Sequence, residues 1–258
     1  MQTFIVSDLH LCDGGPRDRF AYGDRPQQFG RFLDFIGDQA GRLIIAGDLF
    51  DLWQCNLSRC IEHYLPLLDR LAAMGAVYIL GNHDVDLLHF VGKHFLNHPL
   101  FDSMTTPFVL NDGKLRVKIV HGHEADPYCA DEMPGTSRIL TTITGILEDR
   151  NGGPMRGKRS VEDLWVGTLE KMVSFHARFW GKKPRDVQLI DGLKQYVDKG
   201  ECDVVIGGHT HTPGHKGEWY HNSGSWCAAK NSFAWIGDGV VQVWDWDCGP
   251  MLNNTVLG

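Results

Sequence analysis

The chain lacks the features that mark disulfide-stapled and membrane-spanning proteins. It has seven cysteines in 258 residues, and no two of them form a Cys-x-x-Cys pair. An odd number without that spacing argues against a disulfide framework or a zinc ribbon and favours a reducing cytoplasm. No apolar run approaches the length of a membrane span. A polar motif already begins at Asp8, so we expect no cleavable signal sequence, and any membrane contact should be peripheral.

The chain also lacks an excess of positive charge. Its formal net charge is -7, which argues against a protein that coats nucleic acid, and we expect no nucleic-acid partner. Apolar residues make up 43% of the chain and charged residues 22%, as is usual for soluble globular proteins. A chain of 258 residues can bury a large core, so we predict one domain that carries an insertion.

Five short polar motifs stand in one order along the chain. They are Asp8-Leu9-His10, Gly47-Asp48-Leu49-Phe50-Asp51, Gly81-Asn82-His83-Asp84, His121-Gly122-His123-Glu124 and Gly208-His209-Thr210-His211. Each follows a short, continuously apolar run, at residues 3–6, 43–46, 77–80, 117–120 and 204–206. Such runs are typical of buried strands, so we expect the motifs to lie on loops at the carboxyl ends of five strands.

Helical patterns separate the first strands, and a different pattern follows the last motif. Three helices are predicted: one buries Phe29, Phe32, Leu33 and Ile36, the next buries Ile61, Leu65, Leu68, Leu71 and Ala72, and the third covers residues 186–199. Alternating strands and helices indicate an α/β fold. Residues 218–221, 233–236 and 240–247 are predicted to be strands between glycine-rich turns, antiparallel to one another and closing a second sheet.

The segment between the fourth and fifth motifs is too long for a simple connection. Its apolar periodicity predicts a helical cap over residues 126–183, inserted into a core domain made of residues 1–125 and 184–258. The apolar stripes most simply pack against each other, and an acyl pocket or a dimer contact is the alternative. Its basic clusters are commonly solvated charge, but they could also bind phosphate. The candidate substrate-binding residues are Arg156, Lys158, Arg159 and Trp165.

The motifs supply oxygen and imidazole ligands without thiolate. The candidate metal ligands are Asp8, His10, Asp48, Asn82, His121, His209 and His211. This combination suits Mn²⁺, Fe²⁺ or Zn²⁺, and two such ions can share one bridging carboxylate, for which Asp48 is the best candidate. Taken alone, the last two histidines would more often be ordinary turn residues. Asp51 and Asp84 could likewise simply cap the helices that follow them.

As an ordered set, the five motifs resemble the signature of the calcineurin-like metallophosphoesterases, from residue 3 to about residue 245 apart from the cap. The resemblance implies two mixed sheets packed face to face with helices outside, in αββα layers. It implies two divalent metal ions, foremost Mn²⁺, one held by Asp8, His10, Asp48 and His211 and the other by Asp48, Asn82, His121 and His209. His83 would act as general acid or electrostatic stabiliser, with its tautomer set by Asp51.

Residues 7–11, 47–51, 121–124 and 222–226, together with the predicted cap, are similar to one branch of that family. Its members are bacterial UDP-diacylglucosamine pyrophosphohydrolases of lipid A assembly, which cut a nucleotide sugar-lipid between its phosphates and hold the acyl chains under a helical cap. The best-defined members carry arginine at the position of His83. Gly-Asn-His-Asp is the general superfamily form, found also in diesterases, nucleotide hydrolases and protein phosphatases.

The sequence therefore leaves three candidate functions. The first is hydrolysis of a UDP-sugar-lipid, and the second is hydrolysis of another phosphodiester, nucleotide or phosphoprotein. The third is a metal-binding scaffold without turnover. The presence of His83 beside a complete set of ligands speaks against the scaffold, which has no physical need for that side chain.

Overall fold

Two β-sheets carry the structure, a computed structural model that describes residues 1–93, 97–126, 129 and 185–257. The strands are β1 (Thr3–Val6), β2 (Arg42–Ala46), β3 (Val77–Ile79), β4 (Met104–Thr105), β5 (Phe108–Asn111), β6 (Arg116–Ile119), β7 (Val204–Gly207), β8 (Gly214–Lys216), β9 (Tyr220–Asn222), β10 (Ser232–Gly237), β11 (Val240–Asp245) and β12 (Met251–Leu252). The helices are α1 (Arg25–Asp38), α2 (Leu57–Ala73), α3 (Pro99–Asp102) and α4 (Arg185–Asp198), with 3-10 turns at Val85–Phe90 and His123–Ala125.

The five motif strands are divided between the two sheets. The first sheet has the order β12-β11-β10-β1-β2-β3-β4, and the second has the order β5-β6-β7-β9-β8. Strands β1, β2 and β3 are parallel neighbours in the first sheet, and β6 and β7 are parallel neighbours in the second. The first three motifs therefore follow strands of one sheet, and the last two follow strands of the other.

The C-terminal strands are present and β10 and β11 are antiparallel as predicted, but the prediction that all three close the second sheet is wrong. Strand β9 does join the second sheet, but it lies parallel to β7. Strands β10 and β11 form an antiparallel hairpin that joins the first sheet, where β10 pairs with β1. The reason is burial: Ala234 and Ile236 of β10 lie among the apolar side chains between the sheets, and Phe233 packs beneath α1.

Apolar side chains of both sheets meet in the interior and form one layer of the core. This layer consists of Ile5, Ile44, Ala46, Ile79, Val117, Ile119, Val204, Ile206, Ala234 and Ile236. Helices α1 and α2 cover the outer face of the first sheet, and α4 covers the outer face of the second. The predicted αββα layering is therefore confirmed in the part of the chain that the structure describes.

The predicted helices are also confirmed, with one change of face. Phe29, Phe32, Leu33 and Ile36 are all buried on α1. On α2, Leu68 and Leu71 are buried as expected, but Leu65 is 42% exposed, and Cys60 and Tyr64 take its place in the core. Most of the predicted cap lies outside the described residues, so its boundaries stay a prediction. Among the described residues, no helix is long and apolar enough to cross a membrane.

Candidate metal centre

The loops after the motif strands hold their polar residues in an unusual backbone conformation. Asp8, His10, Asp48, His209 and His211 have φ angles of 55°, 51°, 52°, 68° and 56°. These five make up most of the eight non-glycine residues with positive φ in the described chain. Such a conformation costs about 1 to 2 kcal/mol per residue and often accompanies a functional site. Backbone hydrogen bonds hold it in place, as from Asp8 N to the Gly47 carbonyl at 3.1 Å.

The first cluster of predicted ligands forms around Asp8 and His10. The Nε2 atom of His211 lies 3.1 Å from Asp8 Oδ1 and 3.2 Å from His10 Nε2. The same nitrogen of His10 lies 3.6 Å from Asp48 Oδ2. Two imidazole nitrogens and two carboxylates therefore converge on one point, as the predicted first metal site requires.

The second cluster forms around His121, which is fully buried. Its Nδ1 lies 2.9 Å from the Ala46 carbonyl and must donate its hydrogen there. In the neutral ring Nε2 is then a bare acceptor, yet it lies 3.2 Å from Asp48 Oδ2 and 3.1 Å from Asn82 Oδ1. A nitrogen lone pair that faces two oxygen acceptors needs a cation between them, so a proton or a metal ion must lie there.

A buried carboxylate oxygen without a partner supports the same interpretation. Asp8 is fully buried, and its Oδ2 accepts a hydrogen bond from His209 N at 3.0 Å. Its Oδ1 accepts no aligned hydrogen bond from the described residues, although His211 Nε2 lies 3.1 Å away. Buried polar atoms are nearly always satisfied, so an orphaned oxygen among imidazoles is expected where a metal ligand waits for its ion. The oxygen and imidazole donors present therefore fit a pair of divalent metal ions.

Electrostatic coupling among these groups is strong. Burial raises the pKa of Asp8 and of Asp48, but the neighbouring histidines outweigh burial and hold both pKa values well below the usual range. Burial lowers the pKa of His121, but Asp48 and Asp8 outweigh it and raise the pKa to about 10. The pKa of His211 also rises to about 10, because the nearby Cys227 and Asp8 outweigh its burial. Without metal these histidines are therefore imidazolium ions, and metal binding would release their protons.

His209 is placed differently from the other predicted ligands. Its Nε2 lies 2.7 Å from Asp126 Oδ2, which also binds Arg185, and its ring centroid lies 5.2 Å from that of His121. Because Nε2 is engaged by a carboxylate, Nδ1 is the nitrogen left for a metal. Asp126 was not singled out by the sequence, since it belongs to no motif and stands at the start of the predicted cap.

His83 lies beside the clusters and is held on several sides. Its Nδ1 lies 2.9 Å from Asp51 Oδ1, and its backbone N donates to Asp48 Oδ1 at 2.9 Å. The indole of Trp53 stacks on the imidazole with a centroid distance of 3.9 Å and an angle of 22°. The ring of His10 approaches that of His83 edge-on, with 4.5 Å between the ring centroids. Sequence reasoning missed Trp53, because a single aromatic residue in a loop has no periodicity that would mark it.

Asp51 supports His83 and does not cap a helix. Burial raises its pKa, but His83 and His10 outweigh that effect and hold the pKa well below the usual range. The following helix, α2, is capped instead by Asn56, whose side chain accepts from Ser58 N at 2.9 Å. Asp51 is therefore an anionic acceptor for the imidazole Nδ1–H, which leaves Nε2 free to act on a substrate.

Asp84 likewise connects the loops and does not cap the turn that follows it. Its carboxylate accepts hydrogen bonds from Gly81 N at 2.6 Å, from Leu49 N at 2.8 Å and from the Tyr78 hydroxyl. Burial and the nearby Asp48 carboxylate raise its pKa to about 6. These bonds join the second motif loop to the third and so fix Asp48 relative to Asn82.

Two motif glycines are required by close approach. A Cβ on Gly81 would lie 2.5 Å from the backbone N of Asp48 and still closer to its Oδ1. A Cβ on Gly208 would lie 2.5 Å from Asp8 Oδ2. Any larger side chain at either position would displace a predicted metal ligand.

The structure thus gathers Asp8, His10, Asp48, Asn82, His121 and His211, with His209 adjoining and His83 and Asp51 at the side. The candidate substrate-binding residues Arg156, Lys158, Arg159 and Trp165 lie outside the described residues.

Comparison with known proteins connects this geometry to a family. The family model of calcineurin-like phosphoesterases matches residues 1–213. A UDP-2,3-diacylglucosamine hydrolase from Ralstonia nicotianae is 32% identical over 219 residues, covering 82% of this chain and 77% of that protein. A protein of the same name from Histophilus somni (strain 129Pt) is 24% identical over 229 residues, covering 81% and 84%. A dimetal phosphatase from Danio rerio has a structure with a TM-score of 0.47, at 12% identity and with 95% of both chains covered.

Proposed function

Because this chain belongs to the calcineurin-like phosphoesterase family and is a phosphoester hydrolase, we propose that it cleaves a phosphoric anhydride with two divalent metal ions. The first ion would be held by Asp8, His10, Asp48 and His211. The second would be held by Asp48, Asn82, His121 and the Nδ1 atom of His209. The observation that carries this proposal is His121, whose Nε2 faces Asp48 Oδ2 at 3.2 Å and Asn82 Oδ1 at 3.1 Å.

The residues around the ions would each have a different role in the reaction. When bound, two such ions supply Lewis-acid stabilisation of phosphoryl charge and a water nucleophile at neutral pH. His83 would donate a proton or a hydrogen bond from Nε2 to the leaving-group oxygen, because Asp51 holds its Nδ1. Trp53 would keep the imidazole plane fixed by stacking. Asp51 stays ionised at neutral pH and accepts the Nδ1–H, and donation to the leaving group requires that Nε2 also carries a hydrogen.

We further propose a UDP-2,3-diacylglucosamine-like substrate, Mn²⁺ as the preferred metal, and action in the cytoplasm at the inner face of the membrane. The support for the substrate is that the relatives from Ralstonia nicotianae and Histophilus somni are UDP-2,3-diacylglucosamine hydrolases and align with 82% and 81% of this chain. Water would cleave the bond between the two phosphates and yield UMP and an acylated glucosamine 1-phosphate. The basic residues Arg156, Lys158 and Arg159, with Trp165, would contact this substrate.

A second candidate is hydrolysis of another nucleotide or phosphodiester. The observation that favours it is His83 itself, because a Gly-Asn-His-Asp motif is the general form of the family and the imidazole here is fully supported by Asp51 and Trp53. Such an enzyme would show no dependence on acyl chains.

The test is a comparison of substrates with the full chain loaded in turn with Mn²⁺, Fe²⁺ and Zn²⁺. UMP release is measured from UDP-2,3-diacylglucosamine and from the same nucleotide sugar without acyl chains, with bis(p-nitrophenyl) phosphate as a general diester. Faster release from the acylated compound supports the proposed substrate, and equal rates support the second candidate. Failure to hydrolyse any diester or pyrophosphate with any of the three metals would remove the proposal altogether.

A further inference from the structure

We propose that Asp126, fixed by Arg185, is the positioning residue that orients His209 for the second metal ion. The inference deepens the proposed function and rests on the assignment of His209 as a ligand. Neither Asp126 nor Arg185 belongs to the five motifs.

The contact between Asp126 and His209 is short and sheltered from water. Asp126 is fully buried, and its Oδ2 lies 2.7 Å from His209 Nε2. The guanidinium of Arg185 approaches from the other side, with Nε 3.1 Å from Oδ1 and 2.9 Å from Oδ2, and Nη2 also bonded to Oδ2. One carboxylate therefore joins an arginine to an imidazole of the metal centre.

The positions of Asp126 and Arg185 are fixed by a 3-10 turn and a helix that pack against each other. Asp126 follows the 3-10 turn His123–Ala125, and its backbone N donates to the His123 carbonyl at 3.0 Å. Arg185 is the first residue of α4. Helix α4 packs tightly against that turn, since a Cβ on Gly192 would lie 2.9 Å from the Cβ of Ala125. The close packing of α4 against this turn therefore fixes the distance between Asp126 and Arg185.

The chemistry explains why a carboxylate is needed at this place. A neutral histidine presents one N–H and one lone pair, and a metal takes the lone pair. By accepting a hydrogen from Nε2, Asp126 selects the tautomer whose Nδ1 is bare, and it also makes that nitrogen a better ligand. Arg185 balances the charge, because a carboxylate buried without a cation would be costly.

The position of the pair in the chain adds a second consequence. Asp126 is the first residue of the predicted cap, residues 126–183, and Arg185 stands two residues beyond its end. Their ion pair therefore joins two points of the chain that lie 59 residues apart, and it contacts a predicted ligand of the metal centre. A change in the distance between Asp126 and Arg185 would therefore act on His209.

The test measures Mn²⁺ binding by calorimetric titration of the full metal-free chain. The variant Asp126→Asn keeps the shape of the side chain and removes its charge, and we expect one of the two sites to bind about 10 to 100-fold more weakly while the other is unchanged. Arg185→Lys, which keeps the charge but loses the two-pronged contact, should weaken the same site by a smaller factor. In a His209→Ala background, Asp126→Asn should cause no further loss, because its effect passes through that imidazole.

A matched control is available on the surface. Arg116 contacts both carboxylate oxygens of Asp203, at 3.3 Å and 2.7 Å, but this pair does not touch a predicted ligand. Asp203→Asn should therefore leave both Mn²⁺ sites as in the unsubstituted protein. Thermal unfolding of every variant shows whether a change in binding reflects loss of the fold.

Two results would overturn the inference. One is wild-type affinity at both sites in Asp126→Asn, and the other is equal loss at both sites together with a lower unfolding temperature, which would make the pair purely structural. If the unsubstituted chain itself binds no Mn²⁺, Fe²⁺ or Zn²⁺, the proposed function fails first and the inference falls with it.

Discussion

His83 is close enough to the carboxylates to be mistaken for a metal ligand. Its contacts argue for another role, because Nδ1 is taken by Asp51 at 2.9 Å and the ring is clamped by Trp53 at a centroid distance of 3.9 Å. An imidazole with one nitrogen engaged and a fixed plane is suited to deliver a proton at a defined position. The metals would be held by other side chains.

Replacing His83 by alanine should therefore lower kcat by about 10² to 10⁴-fold while the content of bound metal stays the same. Steady-state kinetics and metal analysis of the purified variant give the two values. His98→Ala is the control, because His98 also lies 3.1 Å from an aspartate, Asp69, but in an exposed pair. A parallel loss of metal in the His83 variant would identify this residue as a ligand instead.

Gly81 shows how little room the second and third motif loops leave between them. Gly81→Ala should lower both metal affinity and activity by at least about tenfold, since the new methyl group would press on the backbone and carboxylate of Asp48. Metal titration and activity are measured together. Gly37→Ala is the matched control, because nothing lies within 4 Å of a Cβ there and the residue sits in helix α1. Unchanged metal binding in the Gly81 variant would mean that the loops can move apart.

Helix α1 shows how an element supports the site from outside. Phe32 is fully buried and packs against three aromatic rings. The distances between ring centroids are 5.1 Å to Trp226, 4.8 Å to Phe233 and 5.3 Å to Trp246. Trp226 N in turn donates to the Asp8 carbonyl at 3.1 Å. The aromatic layer under α1 is therefore continuous with the backbone of the first ligand loop.

Phe32→Ala should lower the free energy of unfolding by about 3 to 5 kcal/mol, because it removes a buried ring and leaves a cavity. Urea denaturation followed by tryptophan fluorescence measures the change. The neighbouring Arg31, which is exposed on the same helix, supplies the control Arg31→Ala with an expected change within about 0.5 kcal/mol. Similar effects of the two substitutions would show that α1 contributes little to the core.

The sequence predicts those strands and helices whose position depends on a local pattern of apolar and polar residues. Strands β1, β2, β3, β6 and β7 were found because each buried apolar run ends abruptly in polar residues, and α1 was found from its repeat. The sheet that receives β10 was not predictable, since it depends on partners more than two hundred residues away, as Phe4 opposite Trp235. The two-residue strands β4 and β12 are too short to show any period. Asp126 was missed for a related reason, because its partner His209 is distant in sequence.

For the molecule as a whole, the candidate metal centre joins the two sheets. Asp8, His10, Asp48 and Asn82 follow strands of the first sheet, and His121, His209 and His211 follow strands of the second. Between them lie buried carboxylates and imidazoles whose pKa values depend on one another. Metal binding should therefore act on the stability of the entire fold.

Addition of Mn²⁺ at 100 times its dissociation constant should stabilise the folded protein by about 2.7 kcal/mol for each site. Calorimetric unfolding with and without Mn²⁺ measures this gain, and a chelator should reverse it. The variant His121→Ala, which loses a ligand of the second site, should show a smaller gain than the unsubstituted chain. Equal gains in both proteins would place the stabilising ion elsewhere.

The buried His221 should make the free energy of unfolding depend on pH. Burial lowers its pKa to about 4, below the value near 6.5 of an exposed histidine. The stability that the neutral ring provides is complete above pH 6.5 and is lost as the pH falls toward 4, by on the order of 3 kcal/mol. His221→Gln should flatten the fall in unfolding free energy across this range. Identical acid profiles for His221→Gln and the unsubstituted protein would contradict the prediction.

Anomalous X-ray diffraction from crystals of the full chain grown with Mn²⁺ would test the two proposed metal sites most directly. We expect two peaks: one among Asp8, His10, Asp48 and His211, and the other among Asp48, Asn82, His121 and His209, with Nδ1 of His209 facing the ion. Peaks elsewhere, or a single peak that leaves His121 and Asn82 without a metal, would contradict it.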